Sequence, residues 1–312
     1  MAQRVVGRFA PTPSGRLHLG NLMCAMLAYL SARSAGGRFL LRIEDLDAPR
    51  CPRALADQAI EDLRFLGFTW DEPPLYQSQR SDVYQRYLDR LDAAGLIYPC
   101  FCTRAQLHAS TAPNLGDTQY IYGGTCAHLT AEEAAQLAQA RRPAMRLRVP
   151  DETVRFTDGL FGPQAENLAR DCGDFVLCRS DGLFGYQLAV VVDDALSGVN
   201  QVVRGRDILS ATPRQIYLAR QLGFPQPEYI HIPLLMDDAG RRLAKRDRDL
   251  DLSALARRFT PEALLGILAH AAGLVDEPRP TTLEALIPTF SWDRVKREDI
   301  RLEGLPPEEG RA

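Results

Sequence analysis

Lysine, long apolar runs and paired cysteines are scarce in this chain of 312 residues. Of the 37 basic residues only Lys245 and Lys296 are lysine, so each of the two stands out. No window approaches the roughly 18 consecutive apolar residues of a membrane span, and the N-terminus lacks a charged-then-apolar secretion signal. The seven cysteines are odd in number and scattered, which argues against a disulfide framework. These absences predict a cytoplasmic protein without membrane contact.

Neither sign of charge is in large excess. The chain carries 37 Lys and Arg against 40 Asp and Glu, a net charge of −3, so any contact with RNA must come from a local basic patch. The length and the hydrophobic content of 46% are enough for a real core, and the length favours two domains. Bulk composition therefore predicts a globular protein and leaves its function to local motifs.

Strand-like apolar runs alternate with helical patterns through the first half of the chain and again after residue 175. Strands are predicted at RVVGRFA, FLLRIEDLD, VNQVVRG and YIHIPLLMD, and helices at NLMCAMLAYLSARSAGG, at 52–67, at 80–95 and at TPRQIYLARQLG. The runs DFVLCRS and GYQLAVVVDD are apolar as well. Such alternation predicts an α/β sheet with helices on both faces, whose ligands bind at the carboxyl ends of the strands.

Two segments interrupt this alternation. The residues from 98 to about 175 hold a Cys-rich stretch and many loop-forming residues, and they look like an insertion. From about residue 253, the segment LSALARRFTPEALLGILAHAAGLV has a helical pattern, which predicts a small α-helical subdomain that closes the chain.

The stretch APTPSGRLHLGN, residues 10–21, joins the first predicted strand to the first predicted helix. A loop rich in proline and glycine before a helix N-terminus presents backbone N–H groups that favour an anion. His18 can donate a hydrogen bond to a phosphate oxygen there. The alternative is that His18 only caps the helix and that the glycines only form a turn.

Three cysteines, Cys100, Cys102 and Cys126, lie in the segment PCFCTR…YIYGGTC. In a reducing compartment, thiolates gathered in this way favour zinc over a disulfide. From the residues alone, His108 or His128 is the expected fourth ligand, because histidine is the common partner of cysteine at zinc. The alternative is a set of ordinary buried thiols. The other four cysteines are expected to pack in the core.

The stretch RFAPTPSGRLHLGN resembles the first signature of the class I aminoacyl-tRNA synthetases, with HLGN in the place of the HIGH tetrapeptide. LLRIEDLD and LFGYQLAVVVDD…VVRGRDIL match the glutamyl branch of that family in order and spacing, over residues 4 to about 250. The resemblance implies an α/β fold, a Rossmann-type class I catalytic domain with a zinc-binding insertion and a small C-terminal α-helical subdomain. The implied segments are the first half of the catalytic domain at 1–97, the insertion at 98–174, the second half at 175–252 and the subdomain at 253–312.

The resemblance also implies the residues that bind ATP. GRRLAKRD stands where the second, KMSKS-type signature would be; Arg242 and Ala244 depart from its usual lysine and serine, while Lys245 keeps the second lysine. An arginine still presents a positive fork to phosphate, and the alternative is a solvated basic face. His18 and Lys245 are the implied catalytic residues. The implied ATP site comprises Pro11, Thr12, Pro13, Ser14, Gly15, His18, Gly20, Asn21, Arg242, Lys245 and Arg246.

For the amino acid, a bidentate arginine suits the side-chain carboxylate of glutamate. By resemblance Arg8 and Arg204 bind glutamate, with Arg204 at the side chain, and Glu44 accepts the α-ammonium group. Ala10 and Tyr186 complete the implied glutamate site. Taken singly, each of the charged residues also fits a structural ion pair, and Tyr186 also fits core packing. For the metal, the resemblance points to Tyr122 as the fourth ligand beside Cys100, Cys102 and Cys126.

Chains of this length, with this body and a Cys-x-Cys…Tyr-x-x-x-Cys insertion, resemble the branch that attaches glutamate to the modified base queuosine in the anticodon loop of tRNA(Asp). The implied partners are ATP with Mg²⁺, L-glutamate and tRNA(Asp) carrying queuosine, with one structural Zn²⁺ in the insertion. We expect a monomer, and we expect glutamate activation without RNA because the chain has no room for a large anticodon-binding region. The alternatives are a truncated glutamyl-tRNA synthetase that charges a 3′ end and an inactive paralogue that binds RNA or glutamate.

Overall fold

The computed structural model describes residues 4–103, 106, 121–236 and 252–301. Parallel strands alternate with helices in the first part of the chain and again between residues 186 and 232, as the sequence predicts. Within the same residues, no helix combines the length and the apolar character that are needed to span a lipid bilayer.

The first parallel ladder is formed by β1 (Val6–Phe9), β2 (Arg38–Ile43) and β3 (Leu75–Tyr76), in that spatial order. Helix α1 (Leu19–Ser34) connects β1 to β2, and α2 (Arg53–Phe65) connects β2 to β3. Apart from its first and last turns, α1 is buried on almost every side, which explains why its sequence is apolar nearly throughout. This helix is therefore a central element of the fold.

The middle of the chain forms antiparallel structure. Its elements are α3 (Ser81–Ala93), β4 (Ile97–Cys100), α4 (Ala131–Ala140), β5 (Ala144–Leu147), β6 (Thr153–Asp158), β7 (Gly162–Asn167) and β8 (Phe175–Cys178). Strand β5 pairs with both β4 and β8, and β6 and β7 form a hairpin. Residues of β6 alternate between exposed and buried, which turns Asp158 inward together with Val154 and Phe156.

The second parallel ladder follows. Helix α5 (Tyr186–Leu196) precedes β9 (Gln201–Gly205), and α6 (Thr212–Gln221) connects β9 to its parallel partner β10 (Glu228–Ile232). The two ladders lie side by side with β1 next to β9. Because the chain leaves β1 towards β2 and leaves β9 in the opposite direction towards β10, the strand order reverses between β1 and β9. A crevice at the carboxyl ends of these two strands is where such sheets bind ligands.

The predicted strand YIHIPLLMD and the helical pattern after residue 253 are both divided in the structure. Proline has no N–H for a ladder, and β10 ends just before Pro233, with β11 (Leu235–Met236) after it. The helical segment consists of α7 (Leu252–Leu255) and α8 (Pro261–Ala272), because the hydroxyl of Thr260 caps the second helix and a proline occupies its first position. The predicted helical pattern of that segment therefore corresponds to two separate helices.

The C-terminal elements pack on α1. After α8 come α9 (Leu283–Leu286) and β12 (Ile300–Arg301), which pairs with β11. Helices α8 and α9 contact α1 and share one buried apolar cluster with it and with β1 and β2. A chain of side-chain hydrogen bonds also crosses this interface: Trp292 donates to Ser31 at 3.1 Å, Ser31 to Gln201 at 2.6 Å and Gln201 to Glu228 at 2.9 Å.

Candidate active site

A cavity of about 650 Å³ opens at the carboxyl ends of β1 and β9, within the size range of small-molecule sites. The predicted site residues on its wall are Arg8, Ala10, Pro11, Thr12, His18, Gly20, Asn21, Glu44, Tyr186 and Arg204. Pro13, Ser14 and Gly15 belong to the same loop but do not line the cavity. Arg242, Lys245 and Arg246 lie outside the described residues. Cys24, which the sequence places in the core, is half-buried on this wall.

His18 is the N-cap of α1. Its Nδ1 accepts the backbone N–H of Gly20 at 3.1 Å, and its own N–H donates to the side chain of Asn21 at 3.3 Å. A Cβ at position 20 would lie 3.1 Å from the imidazole ring, so glycine allows this close approach. Because Nδ1 accepts, the neutral ring carries its proton on Nε2 and can donate from that atom. His18 therefore caps the helix, and the cap is compatible with a donor role.

The N-terminus of α1 faces the cavity through Gly20 and Asn21. The first turn of the helix carries no acidic side chain, so nothing in that turn offsets the positive end of the helix dipole. A helix of 16 residues that begins at a cavity wall is suited to an anion such as phosphate.

Four buried charges link β1, β2 and α5 beside the cavity. Arg8 donates from Nε to Asp194 at 3.1 Å, Arg42 donates to the same carboxylate at 2.5 Å, and Arg42 also donates to Glu44 at 3.2 Å. The side chains of these residues are at most 9% exposed. Two guanidinium groups and two carboxylates therefore balance one another, so Arg8 has a structural partner in addition to its place on the wall.

The pKa shifts in this network have opposite directions. Burial acts to raise the pKa of Asp194, but the charges of Arg42 and Arg8 outweigh it and hold the pKa below its ordinary value. Burial raises the pKa of Glu44 above its ordinary value, against the lowering effect of Arg42. Glu44 would therefore gain from a cation in the cavity, such as an ammonium group.

Arg204 lies near the end of β9 and is buried. Its Nε donates to Nε2 of His231 at 3.0 Å, one terminal nitrogen to Gln215 at 2.7 Å and the other to Thr212 at 2.7 Å. The guanidinium carbon lies 5.3 Å from the centre of the Tyr229 ring. Within the part of the chain that the structure describes, no carboxylate forms an ion pair with it. A carboxylate in the cavity would supply the missing counter-charge.

Tyr186, the first residue of α5, is 39% exposed and lines the cavity. An aromatic ring at this place is available to a ligand, and it is not part of the core. The core-packing alternative for Tyr186 is therefore wrong.

Sequence reasoning missed Arg42, Asp194, Thr212, Gln215 and His231. Two of them had a visible signal, because an acid in the apolar run AVVVDD and a histidine in the apolar strand YIHIPLL need a buried polar partner. Nothing local identifies Thr212 or Gln215, which lie on α6, since threonine and glutamine are common on helices.

A second group of side chains lies about the end of β4. The thiols of Cys100, Cys102 and Cys126 lie within 4.8 Å of one another, and Cys102 is 3.5 Å from Cys126. The phenol oxygen of Tyr122 is 3.4 Å from the sulfur of Cys100 and 3.6 Å from that of Cys102. Tyr122 is thus brought together with the three thiols. His128 is exposed, and the metal-compatible group among the described residues does not contain it; His108 lies outside those residues.

This donor set fits a tetrahedral ion. Zinc bound at about 2.3 Å from each sulfur requires sulfur atoms roughly 3.8 Å apart, close to the spacing of Cys102 and Cys126. The guanidinium of Arg146 lies 3.8 Å from the centre of the Tyr122 ring, which adds positive charge beside the thiols. The hydrogen bond with Tyr122 helps to lower the pKa of Cys100, although burial opposes it.

Comparison with known proteins shows the family of the chain. The family model "tRNA synthetases class I (E and Q), catalytic domain" matches residues 4–269. The glutamyl-Q tRNA(Asp) synthetase of Symbiobacterium thermophilum is 51% identical over 308 residues, 95% of either chain. A protein of the same name from Geobacter sulfurreducens is 48% identical over 88% of this chain and 85% of its own. A solved glutamate tRNA ligase from Elizabethkingia meningosepticum, in complex with its amino acid, superposes with a TM-score of 0.83 at 26% identity, over 96% of this chain and 67% of that chain.

Proposed function

The chain belongs to the class I tRNA synthetases for glutamate and glutamine, and we propose that it activates L-glutamate with ATP and transfers the glutamate to queuosine in the anticodon loop of tRNA(Asp). The observation that carries the activation step is the buried guanidinium of Arg204 in a cavity that also contains Glu44 and the N-terminus of α1. Queuosine in tRNA(Asp) as the acceptor is supported by relatives that are named glutamyl-Q tRNA(Asp) synthetase and that align with most of this chain.

In the activation step, the α-carboxylate of glutamate attacks the α-phosphorus of ATP, and pyrophosphate leaves. Arg204 binds the side-chain carboxylate, and Glu44 accepts the α-ammonium group. Arg8, Ala10 and Tyr186 line the amino-acid side of the cavity. This assignment gives a partner of opposite charge to Arg204, which has no ion pair among the described residues, and to the destabilised carboxylate of Glu44.

On the nucleotide side, negative charge grows on the phosphate oxygens as the bond to the α-phosphorus forms. His18 donates from Nε2 to those oxygens, and the N-terminus of α1 supplies a positive field. We assign the loop of residues 11–15 with Gly20 and Asn21 to ATP, and Arg242, Lys245 and Arg246 to its outer phosphates. Mg²⁺ accompanies ATP and neutralises part of its charge.

In the transfer step, a hydroxyl of the queuosine ring attacks the carbonyl carbon of glutamyl-AMP, and AMP leaves. The insertion at 98–174, between the two catalytic halves at 1–97 and 175–252, is our candidate for the RNA contact. In the segment 253–312, the described helices α8 and α9 pack on α1 of the catalytic body. Cys100, Cys102, Tyr122 and Cys126 would hold a structural Zn²⁺, because four protein donors leave no open position for chemistry.

Glutamylation of tRNA(Asp) tests the acceptor. Purified protein, ATP, Mg²⁺ and labelled glutamate are expected to label tRNA(Asp) from cells that make queuosine and to leave tRNA(Asp) from cells that cannot make it unlabelled. A truncated glutamyl-tRNA synthetase is the second candidate, because the fold superposes on a glutamate tRNA ligase. Labelling of tRNA(Glu), with no dependence on queuosine, would favour that candidate, and failure to form glutamyl-AMP would favour an inactive paralogue.

The metal assignment predicts that the purified protein contains about one equivalent of zinc and that Cys102→Ser loses it. Because a structural ion contributes to folding, this variant should also unfold at a temperature lower by about 5 °C or more. Elemental analysis and thermal unfolding measure the two effects. Cys172→Ser is the matched control, since this buried cysteine lies outside the group of thiols. Equal zinc content in Cys102→Ser and the parent protein would contradict the assignment.

A further inference from the structure

The side chains that hydrogen-bond to Arg204 are uncharged acceptors. Thr212 and Gln215 come from α6 and His231 from β10, opposite Arg204 in the β9–β10 ladder. Together they accept from Nε and from both terminal nitrogens at 2.7–3.0 Å. A guanidinium has five N–H donors, so this shell fixes the plane of the group while two donors remain for a ligand.

The acceptor role of His231 is determined by its other neighbour. Since Nε of an arginine is always a donor, Nε2 of His231 accepts, and the ring proton resides on Nδ1. That nitrogen lies 2.6 Å from the carboxylate of Asp158, which also accepts the backbone N–H groups of Leu160, Phe161 and His231. Burial lowers the pKa of His231, and together with the charge of Arg204 it outweighs the raising effect of Asp158, so the ring is held neutral. Asp158 therefore acts on Arg204 through His231, because it orients the imidazole ring whose Nε2 accepts from Arg204.

The amide of Gln215 is oriented in the same way. Its Nε2 donates to the side-chain oxygen of Gln187 at 2.9 Å, which leaves its oxygen to face Arg204. Gln215 is itself buried, with 1% of its surface exposed. An amide oxygen in this place accepts a hydrogen bond without cancelling the charge of the guanidinium.

The other two arginines at this edge of the sheet provide a contrast. Arg8 and Arg42 are paired with Asp194, and Arg42 also with Glu44, so their charges are compensated inside the protein. Asp207 lines the cavity as well, while the side-chain hydrogen bonds of Arg204 in the described part of the chain go to Thr212, Gln215 and His231. A carboxylate ligand gains a full charge–charge interaction at Arg204, whereas an amide ligand gains only a charge–dipole hydrogen bond.

We propose that Thr212, Gln215 and His231, the last held by Asp158, are positioning residues that keep Arg204 both fixed and uncompensated, and that this shell gives the enzyme its preference for glutamate over glutamine. The inference rests on the proposed function, because it deepens the role of Arg204 at the amino-acid site. According to this inference, the absence of charge on the shell, together with Arg204 itself, determines whether the site binds the side chain of glutamate or that of glutamine.

Gln215→Glu tests the charge of the shell. This nearly isosteric change places a carboxylate at hydrogen-bond distance from Arg204, and the amide of Gln187 can turn to donate to it. The KM for glutamate in pyrophosphate exchange is expected to rise on the order of 100-fold, with kcat and the KM for ATP within about threefold. The ratio of kcat/KM for glutamate to that for glutamine should fall by a similar factor. A merely structural role would not change this ratio.

Thr212→Val and Thr212→Ser test the positioning. Valine keeps the shape of threonine and removes the hydroxyl, and it should raise the KM for glutamate about tenfold. Serine keeps the hydroxyl and should stay within about twofold of the parent protein. Thermal unfolding of each variant identifies a loss of folding, and this pair remains informative if Gln215→Glu does not fold.

Calorimetric binding of L-glutamate and of L-glutamine separates this inference from the proposed function, because binding does not require the adenylate. A parent protein that binds glutamate but never exchanges pyrophosphate would overturn the proposed activation, while loss of glutamate binding in Gln215→Glu would still support the shell. A folded Gln215→Glu protein with the parent preference for glutamate would overturn the inference, as would equal effects of valine and serine at Thr212.

Discussion

Arg204→Ala is expected to raise the KM for glutamate by about 100- to 1,000-fold in pyrophosphate exchange. The substitution removes the buried cation that the cavity offers to the side-chain carboxylate, and it leaves the acceptors of Thr212, Gln215 and His231 facing the same place. The incoming carboxylate would then meet the oxygen of Gln215, Nε2 of His231 and the hydroxyl of Thr212 in place of a cation. The KM for ATP should stay close to the parent value, since the nucleotide side of the cavity keeps its groups.

The matched control for this prediction is Arg220→Ala. Arg220 is an exposed arginine at the far end of α6, where it pairs with Glu152. Arg220→Ala removes one positive charge, as Arg204→Ala does, but at a place that does not line the cavity. The kinetic constants of Arg220→Ala should therefore equal those of the parent protein. Steady-state exchange at varied glutamate and at varied ATP measures both constants. An unchanged KM for glutamate in Arg204→Ala would show that the side-chain carboxylate binds elsewhere.

His18→Asn is expected to lower the rate of glutamyl-AMP formation by about 100- to 1,000-fold, or roughly 2.7–4 kcal/mol of barrier. Asparagine is a good N-cap, so the variant keeps the cap of α1 and loses the Nε2 donor. His18→Ala loses both, and it should also lower the free energy of unfolding by about 1 kcal/mol. The pair thus separates the two roles that one imidazole combines.

Single-turnover formation of the adenylate measures the chemical step, and urea unfolding measures the cap. His270→Asn is the control, because this histidine lies on α8 and bonds to the carbonyl of Val275, away from the cavity. A His18→Asn protein with the parent rate would mean that the ring caps the helix and does nothing else. A His18→Asn protein that is as unstable as His18→Ala would show that asparagine does not replace the cap, so the rate would need another variant.

What the sequence predicts well is what is contiguous in the chain. The junction at residues 10–21 is predictable because a strand, a loop rich in proline and glycine and a helix start follow one another, and the cap of His18 on Gly20 spans two residues. Arg204 is predictable at the ligand edge because it stands at the end of an apolar strand pattern. The α/β fold follows from the same alternation of patterns.

What the sequence does not predict is the pairing of charges across long separations. Arg8 and Asp194 are 186 positions apart, and the sequence pattern gives no preference for Asp194 over its neighbour Asp193. The structure separates the two: Asp193 bonds to Gln77, Arg80 and Tyr84, on the side of α5 that faces α3. The neutral shell about Arg204 has the same origin, since its members come from two elements, α6 and β10, that only the folded sheet brings beside β9.

Fully buried helices are a second limit. The run GYQLAVVVDD is rich in β-branched residues and has no polar face, so its sequence alone does not distinguish helix from strand. In the structure this run forms α5, and most residues of that helix are buried. Tertiary packing outweighs local propensity there.

The hydrogen bonds from Trp292 through Ser31 to Gln201 have a consequence for unfolding. They tie the last described segment to the helix that carries His18 and to the strand that carries Arg204. Melting of the C-terminal region and melting of the catalytic body should therefore coincide in one cooperative transition, with similar amide-exchange protection in both.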